Sequence, residues 1–236
     1  MNSEKINPRK VRPSEKEEET RSQLRMMFEK RPIPNDQILE NLELFMRPQR
    51  ISEILSFHHL YQKILDVHGI IIEFGVRWGR HLSVLSALRA IYEPYNFYRK
   101  IIGLDTFTGF LETLPEDGNS DRVHVGSMSV SENYAQYLEN ILALHEAEAP
   151  LSHIRRTELL KGDAPQMLED YLKKNPETIV ALAYFDMDLY QPTKSCLEII
   201  QPYLVKGSIL AFDELLHPEL DRKSTRLNSS HATLSR

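Results

Sequence analysis

Short apolar runs alternate along the chain with longer segments in which apolar residues recur every three to four positions. The runs are Ile70–Phe74, Lys100–Leu104, Thr157–Leu160, Ile179–Phe185 and Ser208–Phe212. Each has the length of a strand, and near-continuous apolar runs suit a parallel sheet covered on both faces. The intervening segments read as helices. One runs from about His81 to Tyr92, one follows a capping-box pattern at Ser129–Glu132 and reaches about His145, and two open at Pro165 and Pro192. Strands alternating with helices predict an α/β domain with a doubly wound, mostly parallel sheet and right-handed crossovers. Ahead of the first strand, Ile38–Phe45 and about Ile51 to Val67 have near-helical spacing. Those two helices are expected to cover the ligand edge of the sheet.

Composition narrows the class. A 41% hydrophobic fraction supports a packed core, and no apolar run approaches membrane-spanning length. The charged start of the chain has no apolar signal region, so a cytoplasmic protein without membrane contact is expected. Cys196 is the single cysteine, which excludes an internal disulfide; among Leu197, Ile199 and Ile200 it reads as a buried helix residue. A net charge of −5 argues against a nucleic-acid partner.

The chemistry begins at Ile70–Gly79, Ile-Ile-Ile-Glu-Phe-Gly-Val-Arg-Trp-Gly. An apolar run ends in an acid, two glycines follow, and a helix starts at once. Glycine at such a strand-to-helix turn lets backbone approach a ligand beside a helix N-terminus. A dinucleotide fingerprint would need glycine at 77 and 80, where arginines stand, so that reading fails. Asp105, at the end of strand two, is positioned to accept hydrogen bonds from both hydroxyls of a ribose. Gly162-Asp163-Ala164 follows strand three, Asp186 ends strand four, and Asp213-Glu214 end strand five. The three carboxylates of Asp186, Asp213 and Glu214, expected at one edge, repel unless protonated or bridged by a cation, and an all-oxygen donor set suits Mg²⁺.

Glu73 with Gly75 and Gly79 resembles motif I of class I S-adenosylmethionine-dependent methyltransferases. Ile71–Gly79, Ile101–Phe110, Lys161–Ala164, Phe185–Thr193 (Phe-Asp-Met-Asp-Leu-Tyr-Gln-Pro-Thr) and Lys206–Leu215 together are similar to the macrocin O-methyltransferase-like family. The similarity runs from about Pro34 to Leu220. It implies a Rossmann-like methyltransferase that methylates a hydroxyl of a small molecule, a sugar or glycosylated metabolite, in saccharide or secondary-metabolite biosynthesis. It implies S-adenosylmethionine held by Glu73, Gly75, Gly79, Asp105, Thr106, Phe107, Asp163 and Ala164. It also implies magnesium held by Asp186, Asp213 and Glu214, although Glu214 stands where many members have Asp. Asp186 and Asp188, or His124 in the long Gly109–Gly126 loop, are the candidate catalytic groups. A metal-independent small-molecule methyltransferase and a non-catalytic S-adenosylmethionine-binding module are the alternatives. A homo-oligomer is compatible with the sequence.

Four regions follow. Residues 1–33 read as a charged, flexible arm, 34–69 as a helical cap, and 70–220 as the methyltransferase core. Asp221–His231 back-translates, with one codon choice, into a widely used sequencing-adapter oligonucleotide. Residues 221–236 are therefore expected to be adapter read-through, leaving the fold truncated after strand five without the strands that usually complete it. Resequencing the locus is expected to replace this tail; a gene that encodes it would refute the reading.

Overall fold

A computed structural model describes residues 14–114, 117 and 124–213. Glu214 and the 221–236 tail lie outside the described residues. The chain divides into two compact units, one up to Ser56 and one from Phe57 onward.

In the first unit, helix α1 (Glu15–Glu29) opens at a capping box. The Ser14 hydroxyl accepts the Glu17 N–H at 3.3 Å, and the Glu17 carboxylate accepts the Ser14 N–H at 2.7 Å. Phe28 meets Phe45 edge-on, with ring centroids 4.9 Å apart. The expected helix over Ile38–Phe45 is instead a pair of 3-10 segments, Asn35–Gln37 and Leu39–Phe45. The second is kinked at Asn41, whose side-chain amide donates to the Gln37 carbonyl at 2.8 Å. Asparagine competing for a helix's own acceptors is the physical reason. Helix α2 (Pro48–Lys63) follows.

The second unit is the expected parallel sheet. Strands β1 (Ile70–Phe74), β2 (Ile101–Asp105), β3 (Thr157–Lys161), β4 (Val180–Phe185) and β5 (Leu204–Phe212) lie in the order β3-β2-β1-β4-β5. Every pairing is parallel. Helices α3 (Arg80–Tyr92), α4 (Tyr134–Ala147), α5 (Ala164–Lys174) and α6 (Tyr190–Ile200) connect them. Strand order reverses between β1 and β4, which opens the crevice where ligands of such sheets bind. Among the described residues no helix is long and apolar enough to cross a membrane.

Side-chain alternation along β1 builds two core layers. Ile70, Ile72 and Phe74 join Leu168 and Leu172 of α5 and Cys196 and Ile200 of α6. Ile71 joins Leu82 and Leu85 of α3, Leu138 of α4 and Phe57. Each such fully buried aliphatic side chain stabilises the fold by about 1.5–3 kcal/mol. Glu73 occupies the Ile71 face, between Gly103 of β2 and Tyr184 of β4, and is fully buried.

Two boundaries differ from the sequence reading for local reasons. Helix α4 begins at Tyr134 and not at the Ser129–Glu132 pattern, because Met128 (φ 65°) and Asn133 (φ 59°) are left-handed and keep that segment a turn. Strand β5 starts at Leu204, but its register to β4 jumps from Leu204 to Ile209. The Ser208 hydroxyl fills the gap, accepting the Val205 N–H at 2.9 Å and donating to the Val180 carbonyl at 2.6 Å.

Buried ion pairs fix the helices to the sheet. Oε1 of Glu146, in α4, accepts from Arg89 of α3 (3.1 Å), from the Arg156 N–H (2.9 Å) and from the Thr157 hydroxyl of β3 (2.8 Å). Arg99 donates bidentately to Glu93, at 2.8 and 3.1 Å, and also to the carbonyls of Ile64 and Gly69 (2.9 and 2.6 Å), so it sets where β1 begins. Removing one partner of a buried pair leaves an uncompensated charge. Glu146→Ala is expected to destabilise the fold by about 3–5 kcal/mol, and Glu146→Gln by less, in urea denaturation followed by circular dichroism.

Candidate active site

The turn after β1 governs what can approach the sheet edge. Gly75 has φ 88°, and a Cβ there would stand 2.0 Å from the Asp186 carbonyl oxygen at the end of β4. Any side chain would force β1 and β4 apart, so glycine is required on steric and conformational grounds. Gly79 answers a different need: a Cβ there would strike the Leu138 side chain at 2.3 Å. It lets α3 pack on α4 and does not line the cavity described next.

A cavity of about 700 Å³ opens at the carboxyl ends of the strands. Gly75, Asp105, Asp163, Asp186, Asp188 and Asp213 line it, so the turns after all five strands contribute. Thr106 and Ala164 line it too. Glu73 and Phe107 are buried and outside its lining, and His124 is an exposed loop residue outside its lining, its carbonyl accepting the Ser127 N–H. Carboxylates outnumber guanidinium groups around the cavity, which favours a ligand carrying positive charge.

Asp105 organises the rim. One carboxylate oxygen accepts the Phe107 N–H at 2.6 Å and the other accepts the Arg77 N–H at 2.7 Å. Both amides belong to left-handed, non-glycine residues, Arg77 at φ 49° and Phe107 at φ 58°; Asp188, after β4, is a third at φ 56°. Such conformations cost on the order of 1 kcal/mol each and persist where the surroundings over-determine them. Asp105 supplies that constraint for two of the three.

Behind the rim lies a group that the sequence reading did not single out. Arg80 Nε donates to His81 Nε2 at 2.9 Å, which requires a lone pair on that nitrogen. The proton of neutral His81 therefore sits on Nδ1, from which it is donated to Glu73 Oε1 at 3.2 Å. Asp186 Oδ2 lies 3.7 Å from the same Nδ1. The imidazole is buried, stacked on Phe57 and edge-on to Tyr184. Tyr184 in turn donates its hydroxyl to Asp213 Oδ1 at 3.1 Å. A fully buried acid on the inward face of an apolar strand needs a partner, and the next helix offers His81 in its first turn; that signal was available in the sequence.

Burial and crowding perturb these acids. Burial raises the Glu73 pKa above the usual carboxylate range, against the opposing hydrogen bond from His81. Burial, reinforced by Asp213, pushes Asp186 up to about 7. Burial also raises the Tyr184 phenol, with Asp186 and Asp213 adding to the shift. Among the described residues, no three His, Cys, Asp or Glu side chains form a ready metal-binding group.

No protein-family model and no curated protein matches the chain. Among solved structures, the calicheamicin methyltransferase CalS11 superposes with a TM-score of 0.89 at 44% identity, covering 93% of this chain and 86% of that one. The apo structure of CalS11, described as a TDP-rhamnose 3′-O-methyltransferase of calicheamicin biosynthesis, gives 0.80 at 42% identity over the same shares. The O-methyltransferase NovP is alike in fold alone, with a TM-score of 0.57 at 18% identity over 79% of this chain and 74% of that one.

A pH dependence follows from the raised acids. Between about pH 4 and 7 the folded chain holds more protons on Asp186 and Glu73 than the unfolded chain does. Their contribution is therefore greatest at the acidic end and is lost as pH rises through that window. In metal-free buffer, urea midpoints measured across it are expected to carry this falling component, and Asp186→Asn is expected to remove much of it. Identical pH profiles for the two proteins would contradict the assignment.

Proposed function

The chain belongs to the O-methyltransferase family of CalS11, within the class I methyltransferases, and from that premise we propose that it methylates a hydroxyl of a sugar or glycosylated small molecule. The methyl donor in this reading is S-adenosylmethionine. The observation that supports it most is the convergence of Asp105, Asp163, Asp186 and Asp213 on one cavity. A volume of about 700 Å³ accommodates a nucleoside-sized cofactor together with a sugar-sized acceptor. CalS11 is described as acting on TDP-rhamnose, so an activated or glycosidic sugar of natural-product biosynthesis is the proposed acceptor class.

The residues fit the cofactor. Each Asp105 oxygen accepts one backbone N–H and keeps further acceptor capacity, which suits the two ribose hydroxyls. Asp163 precedes α5 and makes no side-chain capping bond, leaving its carboxylate and the Ala164 backbone for the adenine. Gly75 exposes backbone to the methionine portion, Glu73 supports that turn from behind, and Thr106 walls the ribose side. The acidic lining suits a cationic sulfonium, whose bound form supplies an electrophilic methyl group.

Asp186 and Asp213 end adjacent strands and offer hard oxygen donors of the kind Mg²⁺ takes together with water and substrate oxygens. They would hold the ion with Glu214, and the ion would orient the acceptor hydroxyl and lower its pKa. Asp188, in the same turn and facing the cavity, takes the hydroxyl proton. Positioning the oxygen in line with the methyl group is the remaining task of the cavity walls. A metal-free variant of this chemistry has one observation in its favour. Asp186, pushed up to about 7, is itself matched to general-base work near neutral pH.

Incubation with S-adenosylmethionine and a panel of nucleotide sugars, TDP-rhamnose among them, and glycosides is expected to yield S-adenosylhomocysteine and a methylated acceptor. Asp188→Asn is expected to lower kcat by about 10²-fold or more while leaving the KM for the cofactor nearly unchanged. Activity lost in EDTA and restored by Mg²⁺ supports the metal; full activity in EDTA removes it, and a loss of kcat in Asp186→Asn but not in Asp188→Asn would then assign the base to Asp186. Cofactor binding without product on any acceptor would defeat the transferase reading.

A further inference from the structure

Helix α6 starts directly after the Asp186–Asp188 turn, and nothing in its own sequence caps it. Its N-cap residue is Leu189, which has no side-chain hydrogen bond to offer, and Pro192 has no N–H. The first amide of the helix, Tyr190 N–H, is instead taken at 2.8 Å by the carboxylate of Asp117, 73 positions earlier in the chain. Asp117 belongs to the loop between β2 and α4. Its other carboxylate oxygen accepts the Leu114 N–H at 2.7 Å, and its own N–H donates to the Leu114 carbonyl at 2.9 Å. The side chain is buried and borders the cavity.

The loop is anchored separately at its base. Phe110 N–H donates to the Ser127 carbonyl at 3.0 Å and Gly126 N–H to the Phe110 carbonyl at 2.9 Å. Among the described residues, 111–114 and 117 thus leave from a closed base, and Asp117 ties them to the start of α6. Leu111, Glu112 and Leu114 from this excursion also line the cavity. Asp188, in its left-handed conformation, lines the same cavity two residues ahead of the amide that Asp117 accepts. A strained turn holds its shape only where neighbouring contacts over-determine it. A buried carboxylate at a helix N-terminus is such a contact, combining a charge-assisted hydrogen bond with the helix dipole.

We propose that Asp117 is a positioning residue that caps α6 from the β2–α4 loop and so sets the loop wall of the cavity and the Asp186–Asp188 turn as one unit. The loop cannot shift without uncapping the helix that carries the reacting turn. The turn cannot relax without releasing the loop. Acceptor contact and proton removal are thereby held in register. The kinetic part of this proposal rests on the methyltransferase reading; its mechanical part does not.

The test compares wild type with Asp117→Ala and Asp117→Asn. Asparagine keeps an oxygen for Tyr190 N–H but presents an amide to Leu114 N–H, so it breaks half of the tie. Hydrogen exchange read by mass spectrometry is expected to speed up in both peptides, the one around 111–114 and the one around 190–193, in Asp117→Ala. In Asp117→Asn the rise is expected mainly around 111–114. The kcat of Asp117→Ala is expected to fall by about 10- to 10²-fold, with Asp117→Asn recovering part of it. S-adenosylhomocysteine affinity by calorimetry is expected to stay within about two-fold, since Asp117 is not among the proposed cofactor contacts. A folded variant with wild-type kcat, or with exchange altered in neither peptide, overturns the proposal. If Asp117→Ala does not fold, Asp117→Asn decides on the same two readouts. If wild type methylates no acceptor, the functional reading fails while the exchange data still decide the tie.

Discussion

The site depends on how closely two parallel strands diverge. At the end of β1 the backbone must leave the sheet within contact distance of the Asp186 carbonyl on β4, and only glycine at 75 allows it. That approach puts the Asp186 turn, the Asp105 carboxylate and the start of α3 around one opening. Asp105 stitches the two neighbouring turns through the Arg77 and Phe107 amides. His81 joins the buried Glu73 to Asp186 from below. Each contact is modest alone, with a charged hydrogen bond worth about 1.5–3 kcal/mol. Asp105 in this way constrains two left-handed residues, Arg77 and Phe107, at one opening.

Charge at this edge is arranged in depth. The outer acids, Asp105 and Asp163, meet the cavity with acceptor capacity to spare. Glu73 is fully buried beneath them and Asp186 is partly buried at the cavity wall, and burial disfavours the charged form of both. Asp213 adds to the shift at Asp186, as a neighbouring like charge does. A site of this kind is prepared for a positively charged guest.

Much of this was legible in the sequence because it rests on short-range periodicity. The five apolar runs became the five strands, and acids or glycines at their ends became the cavity lining, since a parallel sheet leaves little choice about where a strand's last residue points. Cys196 is buried as its neighbours implied. What escaped depends on pairings that only the fold makes visible, whether eight positions apart, as for His81 and Glu73, or 73, as for Asp117 and Tyr190. His81 reads as an ordinary helix residue until Glu73 is seen beneath it, and Asp117 as a turn residue until Tyr190 is seen above it. Gly79 matched a motif, and in the fold it is left-handed (φ 73°) and leaves room for Leu138. The Ser129–Glu132 pattern was a false cap because left-handed residues flank it, a property that residue type only weakly encodes.

The strand order also has a kinetic consequence. Strands β1, β2 and β3 are neighbours in sequence and in space, whereas β1 and β4 meet only after β2, β3 and three helices have been threaded between them. Closing so long a loop is entropically slow, and its cost falls before any contact between the two strands compensates it. The cavity straddles that seam. A chain with β1–β3 assembled would hold Asp105 and Asp163 but have no Asp186 opposite them, so a complete site arises only with the late docking of β4. Ligand capture during refolding would then report the closing of this seam, and a ligand spanning it would slow the reverse step more than it hastens the forward one.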